Sequence, residues 1–142
     1  LIIMIIRNAK FEDIDDCVKI SHIPEFSYLD KASDADSKKY LMEFYKKGIM
    51  LVAEDRNEIV GFIIGEFMLG NFIWVDGITI RKEYRGQGIG KKLFSKFRDV
   101  LKAKGVEHIY LMAPKFNKNT LKFYKSIGLK KGKEFIEFSK DI

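Results

Sequence analysis

The run Arg85-Gly86-Gln87-Gly88-Ile89-Gly90, followed by Lys91 and Lys92, is where residue types and spacing point most directly to chemistry. Glycines at three alternate positions let a backbone pass close to a ligand, because no Cβ stands in the way. The residues that follow read as an amphipathic helix, with Ile89, Leu93, Phe97, Val100 and Leu101 on one face. A helix starting in such a loop offers unpaired N–H groups and the positive end of its dipole. Together these make a phosphate cradle, and Arg85, Lys91 and Lys92 add positive charge beside it.

Two familiar phosphate loops fail at specific positions. A dinucleotide fingerprint needs G-x-G-x-x-G, but here the last glycine comes one position early and Lys91 stands in its place. The only acid about 20 positions on is Glu107, which opens a strand after Gly105. The G-x-x-x-x-G-K-[ST] loop fails because position 85 is Arg and position 92 is Lys.

The elements that must hold this loop follow from the hydrophobic period. An Ile-rich strand over residues 3–8 precedes a helix over 12–21, with Ile14, Cys17, Val18 and Ser21 at helical spacing, and Pro24 ends it or bends the chain. Residues 25–34 lack a period. Tyr40, Leu41 and Phe44 mark a helix from about Ser33 to Lys47, with Gly48 placed as a left-handed cap. Strands Ile49–Glu54, Ile59–Leu69 and Phe72–Arg81 then form an antiparallel meander with turns at residues 55–58 and 70–71. After the glycine loop and its helix come a strand Val106–Ala113, a helix over residues 117–127 and a final strand pair over Leu129–Ser139 with its turn at Gly132. The order is β-α-α-β-β-β-α-β-α-β-β.

The composition narrows the class. At 142 residues the chain fits one domain, read as residues 4–142 starting at Met4, with 1–3 an extension. One cysteine excludes an internal disulfide and a cysteine-built zinc site. The longest apolar run, Leu1–Ile6, is far short of a membrane span of roughly 20 residues and has no signal-peptide flanks, so a cytoplasmic location with no membrane partner is expected. Charge is polarised: residues 1–80 carry 9 Lys+Arg against 14 Asp+Glu and residues 81–142 carry 17 against 6, for a net +6. That places the excess in the half that holds the cradle and suggests an anionic partner there.

The fit that remains is R-x-x-G-x-G at Arg85, Gly88 and Gly90. With it go the strand Ile78-Thr79-Ile80, and Asn117 seven residues before Tyr124, followed by Ile127-Gly128-Leu129. In these motifs, their separation and the element order, the chain resembles the GNAT superfamily of acyl-CoA-dependent N-acyltransferases. The resemblance implies an α/β (α+β) fold: a mixed central sheet with a β-bulge and a splay between strands 4 and 5, and helices on both faces. It implies acetyl-CoA as cosubstrate and direct transfer to a primary amine in a ternary complex, without a metal. The pyrophosphate would lie on the amides of Gly86, Gln87, Gly88, Ile89, Gly90 and Lys91. The pantetheine would pair with the edge at Ile78, Thr79 and Ile80, and Gly77 is placed for the bulge.

A neutral amine is needed for attack, so a base or water chain is required. The family often has Glu as base where this chain has Asp76, one methylene shorter, and Glu66 on the preceding strand is the second candidate. The resemblance makes Tyr124 the general acid that protonates the leaving thiolate. Plainer readings stay open: Tyr124 as a packed aromatic, Asp76 as a strand carboxylate, Asn117 as a helix N-cap instead of, or together with, a cofactor contact. His22 and His108 stand alone in the sequence. Glu25, Asp30, Asp34 and Asp36 in the acceptor-forming region suggest a cationic small molecule or peptide amine. Two rival functions are an acyl-CoA binder of this fold without catalysis and a basic nucleic-acid binder. The second lacks a helix-turn-helix, zinc or RRM signature and leaves the glycine loop unexplained. A homodimer is left open.

Overall fold

The computed structural model describes residues 4–23, 26 and 28–142. The expected extension at 1–3 and the bend at Pro24 lie outside them. The chain divides into two compact units, one ending at Met112 and the other running from Ala113.

The first unit is a five-stranded sheet in the order β1-β2-β3-β4-β5. Its strands are β1 (Met4–Asn8), β2 (Ile49–Asp55), β3 (Glu58–Phe67), β4 (Phe72–Ile80) and β5 (His108–Leu111). The first four pair antiparallel. β4 and β5 pair in parallel, which needs a crossover, and α3 (Ile89–Ala103) supplies it. The meander is as the period predicts. Asp55 and Glu58 flank a turn whose residues Arg56 and Asn57 have φ of 51° and 68°, the tight left-handed geometry of a two-residue hairpin.

Both sheet faces are covered. α1 (Ile14–Lys19), entered by a short 3-10 turn at Phe11–Asp13, and α2 (Asp34–Lys47) pack Ile14, Cys17, Leu41 and Phe44 with Met50, Val52, Phe62 and Ile64. On the alternate residues of the same strands, α3 buries Ile89, Leu93, Phe94, Phe97 and Leu101. This spacing gives one apolar stripe down the helix. Ser33 caps α2 by accepting from the Asp36 N–H at 3.1 Å. The Arg7 guanidinium bridges Asp13 at 2.7 Å and Glu54 at 3.0 Å, fixing the start of α1 to the sheet. Among the described residues no helix is long and apolar enough to cross a membrane.

Two expectations are corrected. Gly48 is not left-handed: its φ is −106°. It is small for a different reason, since a Cβ there would lie 2.3 Å from the carbonyl oxygen of Gly65. In the second unit α4 (Lys118–Ser126) forms as expected and is closed by Gly128 at φ +95°. The strand pair over Leu129–Ser139 does not form; residues 129–142 carry no strand. Apolar residues occur there, but a two-stranded ribbon is marginal by itself, and Lys130, Lys131 and Lys133 crowd like charges around its would-be turn.

Candidate active site

The two halves of the expected site are built by the backbone of β4. Register runs Ile64 opposite Gly77 and then Gly65 opposite Val75, so Asp76 is the extra residue of a bulge. A bulge re-aims its side chain and bends the strand. Parallel pairing with β5 spans Phe72–Val75 only. From Asp76 onward β4 has no partner on that side among the described residues, which is the splay that the family resemblance implies. Gly77 is needed by crowding: a Cβ would meet Phe26 Cε1 at 1.7 Å.

The open edge has a defined register. The Arg81 N–H donates to the Val60 carbonyl at 2.7 Å. Residues on an antiparallel strand alternate between facing the partner and facing away. Thr79 therefore turns its backbone to β3, and Ile78 and Ile80 turn theirs to the free edge. The Thr79 hydroxyl is directed inward, donating to the Ile20 carbonyl at 3.5 Å. Of the three strand residues expected to meet a ligand, Ile78 and Ile80 present backbone groups and Thr79 does not.

The glycine loop follows at the end of this edge. Gly86 and Gly88 have φ of +78° and +80°, with nothing within 4 Å of a would-be Cβ. Conformation, not crowding, requires glycine there. Gly88 is the N-cap of α3, and the first turn has no acidic residue. It carries exposed Lys91 and Lys92 instead, the sign that a helix N-terminus disfavours unless an anion is bound. The loop is anchored from both sides. Arg85 Nε donates to the Ile80 carbonyl at 3.0 Å, the Tyr84 hydroxyl donates to Asp55 Oδ2 at 3.0 Å, and Arg81 pairs with Glu58. Gln87 Nε2 donates to the Glu83 carbonyl at 3.4 Å, and buried Ile89 anchors the helix start. Open-edge amides, a left-handed glycine cradle and a basic first turn fit an extended ligand bearing phosphates.

Asp76 and Glu66 come together as neighbours on the same sheet face, since Glu66 pairs with Trp74, two residues before Asp76. Burial and the Glu66 carboxylate push the Asp76 carboxyl up to about 7, partly offset by a hydrogen bond from Tyr40. The Tyr40 hydroxyl donates to Asp76 Oδ1 at 3.4 Å, while Oδ2 is buried without a donor among the described residues. Among the described residues neither carboxylate has a Lys, Arg or His ion-pair partner. Tyr40 was not read from the sequence as a site residue, because Tyr40, Leu41 and Phe44 together signal only an apolar helix face.

The acidic loop is not the uniform anionic surface its composition suggests. His22 is not alone: its ring nitrogens lie 2.8 Å from the Leu29 carbonyl and 2.9 Å from Asp34 Oδ1. Both partners accept, so both nitrogens donate only in the imidazolium. The Leu29 carbonyl and then Asp34 raise its pKa above the ordinary value. Glu25 lies outside the described residues. Cys17 is fully buried and its thiol is pushed up by that burial, so it is core and not a nucleophile.

In the second unit Asn117 is the N-cap of α4, accepting from the Thr120 N–H at 3.2 Å. Tyr124 lies in the last turns of that helix, half-buried, its ring 5.7 Å from Phe123. A separate cleft of about 210 Å³ at the C-terminal end of α3, lined by Tyr45, Gly48, Phe67 and Lys104 among others, holds no acid–base pair.

A bulged strand that parts from its neighbour beside a glycine cradle is the layout of an acyl-CoA-type transferase fold. The family model described as the Acetyltransferase (GNAT) family matches residues 15–129, and the chain belongs to that family. Thialysine N-epsilon-acetyltransferase of Bos taurus is 37% identical over 59 residues, covering 42% of this chain and 35% of that protein, so the match spans about a third of the relative's length. An uncharacterized N-acetyltransferase of Archaeoglobus fulgidus is 27% identical over 139 residues, covering 90% and 94%. Among solved structures, the aminoglycoside N-acetyltransferase AAC(6')-Iy in complex with CoA superposes with a TM-score of 0.86 at 14% identity, covering 100% of this chain and 97% of that one. The ribosomal-protein-S18-alanine N-acetyltransferase of Escherichia coli superposes at 0.76 with 18% identity, covering 92% and 80%. At these identities the structures speak to the fold.

Proposed function

We propose that this protein is an acetyl-CoA-dependent N-acetyltransferase that acts on a cationic primary amine by direct transfer in a ternary complex. The observation that carries the reading is the position of Asp76, at the bulge where β4 parts from β5 and immediately before the free edge at Ile78. When bound, acetyl-CoA supplies the acetyl group in activated form, as a thioester. The Ile78 N–H is the donor for the carbonyl oxygen, where negative charge develops. The amides of residues 86–91, with Arg85, Lys91 and Lys92, hold the pyrophosphate.

Asp76 is the base. A carboxyl near 7 is matched to taking a proton from an alkylammonium at neutral pH, a value sustained first by burial and then by the Glu66 carboxyl beside it. Tyr124 is the acid that protonates the departing thiolate, and Asn117 combines its capping role with cofactor binding. The acceptor's positive charge is supported by the Asp76–Glu66 pair, which has no cationic partner among the described residues. A relative whose name places its acetyl group on an ε-nitrogen is consistent with an alkyl amine acceptor.

The test is thiol release from acetyl-CoA across a panel of cationic, neutral and anionic amines, with Tyr124→Phe beside the native protein. Turnover is expected with cationic amines, and Tyr124→Phe should lose about 10²–10⁴-fold in rate. Turnover confined to neutral or anionic amines would reject the acceptor class. Acetyl-CoA binding without turnover would leave a non-catalytic acyl-CoA binder.

A further inference from the structure

We propose that Tyr40 is a positioning residue for the base, holding the Asp76 side chain through Oδ1 and favouring its carboxylate over its protonated form. This rests on Asp76 being the base. The two oxygens of a free carboxylate are equivalent, and rotation of a short Asp side chain exchanges them. Here they are distinguished. Oδ1 accepts from the Tyr40 hydroxyl at 3.4 Å, and Oδ2 is buried without a donor among the described residues, with the Glu66 carboxyl beside it. A contact of that length is slack in the resting protein and tightens when the acceptor gains charge or the site closes.

The phenol is held by a rigid element. Tyr40 belongs to α2, which is anchored by buried Leu41 and Phe44. Its ring lies 4.7 Å from that of Tyr28 and 5.1 Å from that of Phe44, the latter edge-on. Its pKa is raised, first by burial and then by the charges of Asp76 and Glu66, so it stays a donor throughout the working range.

Among the described residues the groups facing Asp76 are Glu66 from β3 and Tyr40 from α2, with Tyr28 behind Tyr40, and Glu66 and Tyr40 act in opposite directions. Glu66 favours the protonated carboxyl, and Tyr40 favours the carboxylate. Without the Tyr40 hydroxyl the protonated form of Asp76 gains over the carboxylate, and less of the free base meets the ammonium. In the transfer the N–H bond of the ammonium breaks, the proton forms a bond to the Asp76 carboxylate, and the nitrogen keeps the electron pair that then attacks the acetyl carbon.

The test compares Tyr40→Phe, Tyr40→Gln and Asp76→Asn with the native protein. The readouts are carbon-13 titration of the Asp76 carboxyl and pH profiles of kcat/KM with spermidine and lysine as probe acceptors. In Tyr40→Phe the Asp76 titration and the acid limb of the profile should move together to higher pH by about half to one unit. That is a roughly three- to tenfold loss below the limb, recovered above it. Tyr40→Gln, which restores an N–H donor, should return the limb toward its native position. A folded Tyr40→Phe with both the titration and the limb in their native positions overturns the proposal while leaving Asp76 as base. A limb that persists in Asp76→Asn removes Asp76 itself, which is a failure of the underlying reading.

Discussion

The ring of Phe26 lies directly over Gly77, so closely that a Cβ on Gly77 would be 1.7 Å from Cε1, 2.4 Å from Cδ1 and 2.6 Å from Cζ. Phe26 also stacks on Phe62 at 5.5 Å, so the ring has a wall behind it. The backbone next to the bulge is thereby clamped by the connection between α1 and α2. Gly77→Ala must displace a buried ring and should destabilise the fold by about 1–3 kcal/mol. Thermal unfolding should show a loss of several degrees, and an unchanged midpoint would contradict the clamp.

Asp76 gives a pH-dependent stability of unusual sign. Its folded pKa of about 7 lies above the ordinary 3.8, so between these values the native state binds more protons than the unfolded chain. Stability therefore falls as pH rises through that window. Asp76→Asn, neutral at every pH, should be more thermostable than the native protein above about pH 7 and lose that advantage in acid. Its catalytic cost should be about 10²–10⁴-fold, with loss of the acid limb. A melting-point difference that is constant with pH would contradict the raised value.

Gly88→Ala separates cradle from fold. There is room for the methyl group, but φ of +80° is adverse for alanine and costs about 1–2 kcal/mol. In the native protein, acetyl-CoA at 100 times its Kd should stabilise by about 2.7 kcal/mol. The variant should melt slightly lower without ligand and lose most of this response. A full response in Gly88→Ala would place the phosphates elsewhere.

His22 makes a linkage of the same sign as Asp76, though here it is the charged form that the fold favours. Its folded pKa is raised above 6.5 by the Leu29 carbonyl and Asp34. Its stabilisation is complete below 6.5 and is lost as pH rises through the folded value. The melting difference between native protein and His22→Ala should be larger at about pH 5.5 than at about pH 9. A difference that does not shrink toward alkaline pH would show that His22 stays uncharged.

What was legible in the chain is what its backbone specifies locally. The glycines at 86, 88 and 90 announce a backbone open to a ligand, Tyr40, Leu41 and Phe44 announce the helix that starts near Ser33, and the run Phe72–Arg81 announces a strand. The role of Tyr40 was not legible, because its partner Asp76 is 36 residues away and the pattern around Tyr40 only signals a buried face. His22 read as solitary for the same reason, with Asp34 12 residues on. The C-terminal strands failed in the other direction: local β propensity in Phe135, Ile136 and Phe138 was present, and the residues are exposed and without a ladder. Whether a strand forms is decided by a partner, which no local pattern contains.

The parting of β4 from β5 also bears on how the protein behaves in a crowd. An unpaired strand edge is a template for the strands of other molecules. Here the exposed stretch is short, bent at its start by the bulge, and blocked at its end where Arg85 occupies the Ile80 carbonyl. A bound pantetheine arm would complete the ladder in place of a neighbouring chain. The same bulge and arginine that shape the edge for a ligand thus also keep it from serving as a template for a neighbouring chain.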